Sequence, residues 1–89
     1  MAWNSKRPND PEYDLVRRKV LKRDRYQCQL CNKRGKLQVH HIIPWADSPS
    51  LRKSEFNLIT LCIGCHKKVT KNEHNYMVML THIVNSKYK

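Results

Sequence analysis

The sequence predicts a small α+β domain: two short strands and a short helix stapled through four cysteines, with a further helix on each side. Three observations predict it. Cys28/Cys31 and Cys62/Cys65 form two C-x-x-C pairs at the spacing of a tetrahedral, all-thiolate zinc site. Two strand-like runs lie between the outer cysteines, joined by a turn-rich stretch, and helical periodicity precedes and follows them. A chain of 89 residues buries too little apolar surface to be comfortably stable without such a staple.

Residues 1–9, with Trp3, Lys6, Arg7 and Pro8 in no regular period, read as a basic arm, and residues 10–89 as one domain. Asp10-Pro11 supplies an N-cap and a proline at the first helical position, and Glu12 and Asp14 fall where the helix dipole favours acids. The spacing of Tyr13, Val16, Val20 and Leu21 predicts a helix to about Asp24 with a narrow apolar stripe. Cys28 to Gly35 reads as a zinc knuckle, the tight turn that lets two thiolates face one ion. Leu37 to Ile43 alternates as a strand, which directs His40 and His41 to opposite sides unless a twist or bulge brings them together. Pro44 to Phe56 is a loop, Asn57 to Leu61 a second strand, and Cys62 to Val69 a short helix bearing Cys65 and His66. Thr70-Lys71-Asn72-Glu73 has the pattern of a capping box and opens a last helix with Tyr76, Met79, Leu80, Ile83 and Val84 on its core face.

Eighteen Lys and Arg against seven Asp and Glu give a formal net charge of +11, far beyond what solubility needs. A polyanion is therefore the expected partner. Nucleic acid fits better than an anionic membrane, which would want a basic amphipathic helix with exposed bulky apolar residues. No stretch has the apolar length of a membrane span. The polar, basic start carries no signal-peptide pattern, so the chain is expected inside the cell, where thiols stay reduced and bind metal rather than pair as disulfides. Cys62-Ile63-Gly64-Cys65-His66 also has the c-type haem attachment pattern, with Met77 or Met79 as a second axial ligand, but that reading leaves Cys28 and Cys31 without a role. Four cysteines close a coordination sphere, which makes the metal structural and leaves the histidines for chemistry.

Isolated histidines such as His74 and His82 are expected on the surface or packed, with His74 an outside candidate for a third ligand. His40, His41 and His66 differ in their setting. Val39-His40-His41-Ile42-Ile43-Pro44, then Asn57-Leu58, then Leu61-Cys62-Ile63-Gly64-Cys65-His66-Lys67-Lys68 resemble the HNH endonuclease motif in residue type, order and approximate spacing, over residues 26–71. The resemblance implies a ββα-metal core, in which a two-stranded ribbon and a helix clasp one catalytic divalent ion, with the cysteines as the flanking structural zinc site of many members. It also implies a general base at His41, metal ligands at His40 and His66, and for Asn57 the task of fixing the loop or orienting His41.

The chemistry agrees with these roles. Hydrolysing a phosphodiester at neutral pH requires an activated water, relief of charge at phosphorus and neutralisation of the leaving 3′ oxygen, and histidine titrates near the working pH. His40 stands where many members of the family carry aspartate, and exchanging a hard oxygen for nitrogen predicts a metal preference shifted from Mg2+ toward Mn2+ or Ni2+. Lys67, Lys68 and Lys71, with Arg17 and Arg18 on the first helix, are candidate phosphate contacts. No zinc-finger spacing or separate reading module accompanies them. The expected activity is nicking of double-stranded DNA with low intrinsic specificity by a monomer. Targeting would come from a partner such as a phage packaging or mobile-element component, and the compartment would then be the cytoplasm of a bacterial host. The competing reading is a non-catalytic zinc ribbon that binds nucleic acid or acts as an adaptor.

Overall fold

Helix α1, Pro11–Arg23, buries Val20 and Leu21 and half-buries Tyr13 and Val16, the stripe that the sequence spacing marks. Acids in its first turn and bases in its last complement the helix dipole. It ends in a Schellman motif: the Tyr26 N–H donates to the Leu21 carbonyl at 2.8 Å and the Arg25 N–H to the Lys22 carbonyl at 3.0 Å. Arg25 and Tyr26 are left-handed, at φ 59° and 52°. The computed structural model describes residues 11–43, 49–51 and 53–88; the basic arm, the Asp10 cap and residues 44–48 of the expected loop lie outside the described residues.

The knuckle after α1 closes through the Cys28 N–H to the Lys33 carbonyl and the Asn32 N–H to the Cys28 carbonyl, at 2.8 and 2.9 Å. Strand β1, Leu37–His41, then pairs antiparallel with β2, Leu58–Cys62, in unbroken register from Leu37 opposite Cys62 to His41 opposite Leu58. β1 stops two residues short of the expected Ile43. The cause is Asn57, whose amide captures the Ile43 backbone from the side: the Ile43 N–H donates to Oδ1 at 2.8 Å and Nδ2 donates to the Ile43 carbonyl at 3.2 Å. For the same reason Asn57 closes a 3-10 turn, Glu55–Asn57, instead of opening β2.

The ribbon has a core on each face. On one side Val39 and Leu58 pack with Val20 and Leu21 of α1. On the other, Ile42, Ile59 and Leu61 pack with Cys28, Cys62 and Cys65, with Val69 of α2 (Ile63–Lys71) and with Leu80 and Val84 of α3 (Glu73–Ser86). The expected capping box is not formed. Thr70 and Lys71 extend α2, and Asn72 joins the two helices through its backbone: its N–H donates to the Val69 carbonyl, and its own carbonyl accepts from the Asn75 and Tyr76 N–H groups. Met79 is 44% exposed rather than buried, because it stands roughly 100° round the helix from Leu80. Met77 takes the core-side place, with Tyr76 and Ile83.

Candidate metal centre and histidine site

Two backbone features bring the cysteines together. The knuckle carries Cys28 and Cys31, and the junction of β2 with α2 carries Cys62 and Cys65, so the four sulfurs lie within 4.8 Å of one another. A tetrahedron with Zn–S bonds of about 2.3 Å has an edge of roughly 3.8 Å, so a set this tight fits one ion. Backbone N–H groups of Leu30 and Cys31 point at Cys28 Sγ and that of Cys65 at Cys62 Sγ, each at 3.4 Å. Burial opposes ionisation of Cys28, but the backbone N–H donors outweigh it and bring the thiol down to about 6. The Cys65 N–H likewise lowers Cys62. Cys65 moves the other way, pushed up to about 12 by burial and by its neighbouring thiols. Four crowded thiolates repel one another, and a divalent cation at their centre removes that conflict. The all-sulfur donor set is that of a closed zinc site. It also commits Cys62 and Cys65, which disposes of the haem reading.

Two of the three motif histidines meet where the first turn of α2 lies against β1. His40 and His66, from the first turn of α2, lie edge to face with ring centroids 5.3 Å apart and planes at 77°. Burial, then the neighbouring His66 and His41, push His40 down to about 4, and burial lowers His66 as well. Both rings are therefore neutral at pH 7, the form that ligates metal. Among the described residues, the four cysteines form the only grouping of three or more His, Cys, Asp or Glu side chains placed to share an ion. His40 and His66 thus offer two nitrogen donors that suit a divalent ion whose remaining ligands come from water or substrate. His74, the outside candidate for a third ligand, is exposed on α3, as is His82.

His41 faces the other way. Its ring stacks on Tyr13 of α1, with centroids 5.8 Å apart and planes within 11°. The unbroken register provides no bulge, so strand alternation keeps His40 and His41 on opposite faces. His41 is, however, the last residue of β1, where the paired ribbon ends. Asn57, 5% exposed, holds the chain beyond that end: besides gripping Ile43, it donates Nδ2 to the Leu51 carbonyl at 3.3 Å, and its carbonyl accepts from the Ile42 N–H at 2.8 Å. Of the two tasks expected for Asn57, fixing the loop is the one these bonds perform.

One part of the setting escapes a reading of the sequence. Asp24 is 1% exposed, and its carboxylate accepts from Arg23 Nε at 2.8 Å, Arg23 Nη2 at 3.0 Å and the Thr60 N–H at 3.0 Å. The same guanidinium donates to the carbonyls of Glu55 and Leu58, at 2.8 and 2.7 Å, on either side of Asn57. Tyr88 closes the brace, accepting from Arg23 Nη1 and donating to Glu55 Oε1. In the sequence Arg23-Asp24 looks like an ordinary solvated helix end. Flanked by Arg23 and Arg25, Asp24 gives no sign in the sequence that it turns inward.

The predicted phosphate contacts fall into two patches. Lys67, Lys68 and Lys71 are exposed on α2, beside His66, while Arg18 is exposed and Arg17 half-buried on α1, across the ribbon. No helix among the described residues is long and apolar enough to cross a membrane.

Comparison with known proteins places the chain in a family. The chain is similar to the protein named anaredoxin from Nostoc sp. (strain PCC 7120 / SAG 25.82 / UTEX 2576), with 35% identity over 63 residues that cover 70% of this chain and 80% of that protein. The HNH endonuclease family matches residues 28–72, half of the chain, from the first cysteine of the knuckle to the residue that joins α2 to α3. That span holds both strands, all four cysteines and each of His40, His41, Asn57 and His66, so by sequence and by architecture the chain belongs to the HNH endonuclease family.

Proposed function

We propose that the protein is a divalent-metal-dependent DNA endonuclease. The observation that carries this reading is the pair of neutral imidazoles, His40 buried and His66 half-buried, brought together from strand and helix beside the last residue of β1. His40 and His66 would hold the ion, which when bound would supply charge neutralisation at the scissile phosphodiester. His41 accepts a proton from the attacking water as the water oxygen bonds to phosphorus and the P–O3′ bond breaks, leaving a 5′-phosphate and a 3′-hydroxyl. Tyr13, stacked on His41, limits how the imidazole turns, and Asn57 holds the chain that follows it. Lys67, Lys68 and Lys71 bind phosphates on the α2 side, and Arg17 and Arg18 on the α1 side.

One centre per chain makes the product a nick in double-stranded DNA unless two chains or two encounters combine. The reading extends to residues 10–89 as one domain behind a basic arm, working as a cytoplasmic monomer with a targeting partner, such as a phage packaging or mobile-element component. The decisive experiment incubates supercoiled plasmid with zinc-loaded protein in EDTA, Mg2+, Mn2+ or Ni2+, with His41→Ala beside it. Metal-dependent nicking that His41→Ala lacks, stronger in Mn2+ or Ni2+ than in Mg2+, is expected. Salt-sensitive binding without cleavage in any metal would favour the non-catalytic binding module instead.

A further inference from the structure

The outer face of α1 offers more than the phosphate contact already given to Arg18. Its stripe of Glu12, Leu15, Val16, Arg18, Lys19 and Lys22 runs down to Tyr26 and lines a shallow groove of about 480 Å³. The groove has an apolar floor: Leu15 is 59% exposed and Tyr26 53% exposed, which is unusual for residues on a helix whose other face is already buried. Its rim is basic. Arg18, Lys19 and Lys22 face one acid, Glu12, and that acid is engaged by Lys53 at 2.9 Å.

The placement of Tyr26 is the second, independent observation. Both Arg25 and Tyr26 take left-handed backbone conformations, where glycine is the usual residue, and each such position costs on the order of 1 kcal/mol. The Schellman hydrogen bonds hold the Tyr26 backbone in that conformation, and its half-exposed side chain borders the groove of α1. A half-exposed aromatic ring in one groove with three cations suits a ligand that carries both a π-face and a negative backbone.

We propose that this groove binds a single-stranded stretch of nucleic acid, with an unpaired base stacked on Tyr26 and the adjoining phosphates against Arg18, Lys19 and Lys22. The net charge of +11 favours nucleic acid over a neutral or basic protein partner, and the exposed ring favours an unpaired base over a paired one. Binding here does not depend on cleavage. It would let the domain engage a junction, with duplex at the histidine edge and unpaired strand along α1.

The test measures binding by fluorescence anisotropy, using zinc-loaded protein without added divalent ions, a labelled single-stranded oligonucleotide and a duplex of the same sequence. Tyr26→Ala should weaken single-strand binding at least fivefold and duplex binding by less, and Tyr26→Phe should restore it. Lys19→Gln with Lys22→Gln, both exposed and clear of the core, should lower the slope of log affinity against log salt by about 0.7 for each phosphate no longer neutralised. An oligonucleotide bearing 5-iodouracil should photocrosslink to Tyr26. Equal losses on single strand and duplex would overturn the stacking proposal. So would crosslinks confined to α2 with Tyr26→Ala binding as the parent does, or an acidic peptide that displaces the oligonucleotide from the groove at lower concentration.

Discussion

An antiparallel ribbon has two ends, and here different chemistry holds each of them. At the Leu37–Cys62 end, four sulfurs within 4.8 Å tie the knuckle to α2 around a metal site. At the His41–Leu58 end there is no such cluster among the described residues; Asn57 accepts from the Ile43 N–H and Arg23 donates to the Leu58 carbonyl there, while Asp24 accepts from the Thr60 N–H farther along β2. The sulfur end is closed and inert, because a filled tetrahedron leaves no position for water. The histidine end keeps two neutral nitrogens in reserve, and reserve is what a catalytic centre needs. In the proposed function stability and chemistry separate within one helix turn, since Cys65 and His66 are neighbours on α2 yet one faces the sulfur cluster and the other meets His40.

The two ends differ most visibly when the metal is removed. Structural zinc contributes on the order of 10 kcal/mol to domains of this kind. A strong chelator, or Cys28→Ser with Cys62→Ser, should therefore abolish the cooperative thermal transition and most of the helical circular dichroism. Metal analysis of the purified protein should give one zinc per chain. A chelated protein that keeps its spectrum and its melting transition would show that the histidine end and the two cores suffice alone.

The brace at the other end should matter less but still measurably. Arg23→Ala leaves the Asp24 carboxylate buried, with Lys87 at 3.8 Å as its remaining cation, and stranding such a charge costs about 3 kcal/mol. The expected result is a lower urea midpoint in zinc-loaded protein with metal content unchanged. An unaltered midpoint would mean that solvent reaches Asp24 and that the brace is ornamental.

How much of each end was legible in the sequence follows from the same contrast. Cysteine spacing announces itself, because a ligand must be a particular residue at a particular distance along the chain; the motif order of His40, His41, Asn57 and His66 works in the same way. Alternation along β1 likewise separates His40 from His41, as found. Asp24 does not announce itself, since its partner Thr60 N–H lies 36 residues away and is a backbone group that any residue could supply. The apparent capping box misleads for a related reason. Thr70 and Glu73 have the right spacing, but the local pattern is silent on whether α2 continues through them. Side-chain constellations survive translation into sequence, whereas side-chain-to-backbone bonds depend on register that only the folded chain possesses.

A pH titration sharpens the contrast further. His40 sits near 4 in the folded protein against an ordinary 6.5, so between these values the unfolded chain binds the proton and the folded chain does not. Its contribution is fully present above about pH 6.5 and is lost as pH falls through about 4, by up to about 3 kcal/mol. Thiolate protonation acts in the same acid range, and His40→Gln isolates the histidine because both proteins share the cysteine site. The variant's stability should fall less steeply between pH 6.5 and 4. Parallel curves would place the acid sensitivity wholly at the sulfur end.

The smallest expected effect concerns the turn that links the two ends. Arg25 sits at the left-handed position that closes α1, between Asp24 of the brace and Cys28 of the metal site, with φ 59°. Glycine has no Cβ to clash there, so Arg25→Gly should raise stability by about 1 kcal/mol, while a β-branched residue such as valine should lower it by more. Since Arg25 makes no bond to the sulfurs, the gain should appear with zinc bound and leave metal affinity unchanged. A gain that instead came with tighter zinc binding would show that the end of α1 and the knuckle form one mechanical unit, and that the strain at Arg25 is felt at the sulfur end as well as at the brace.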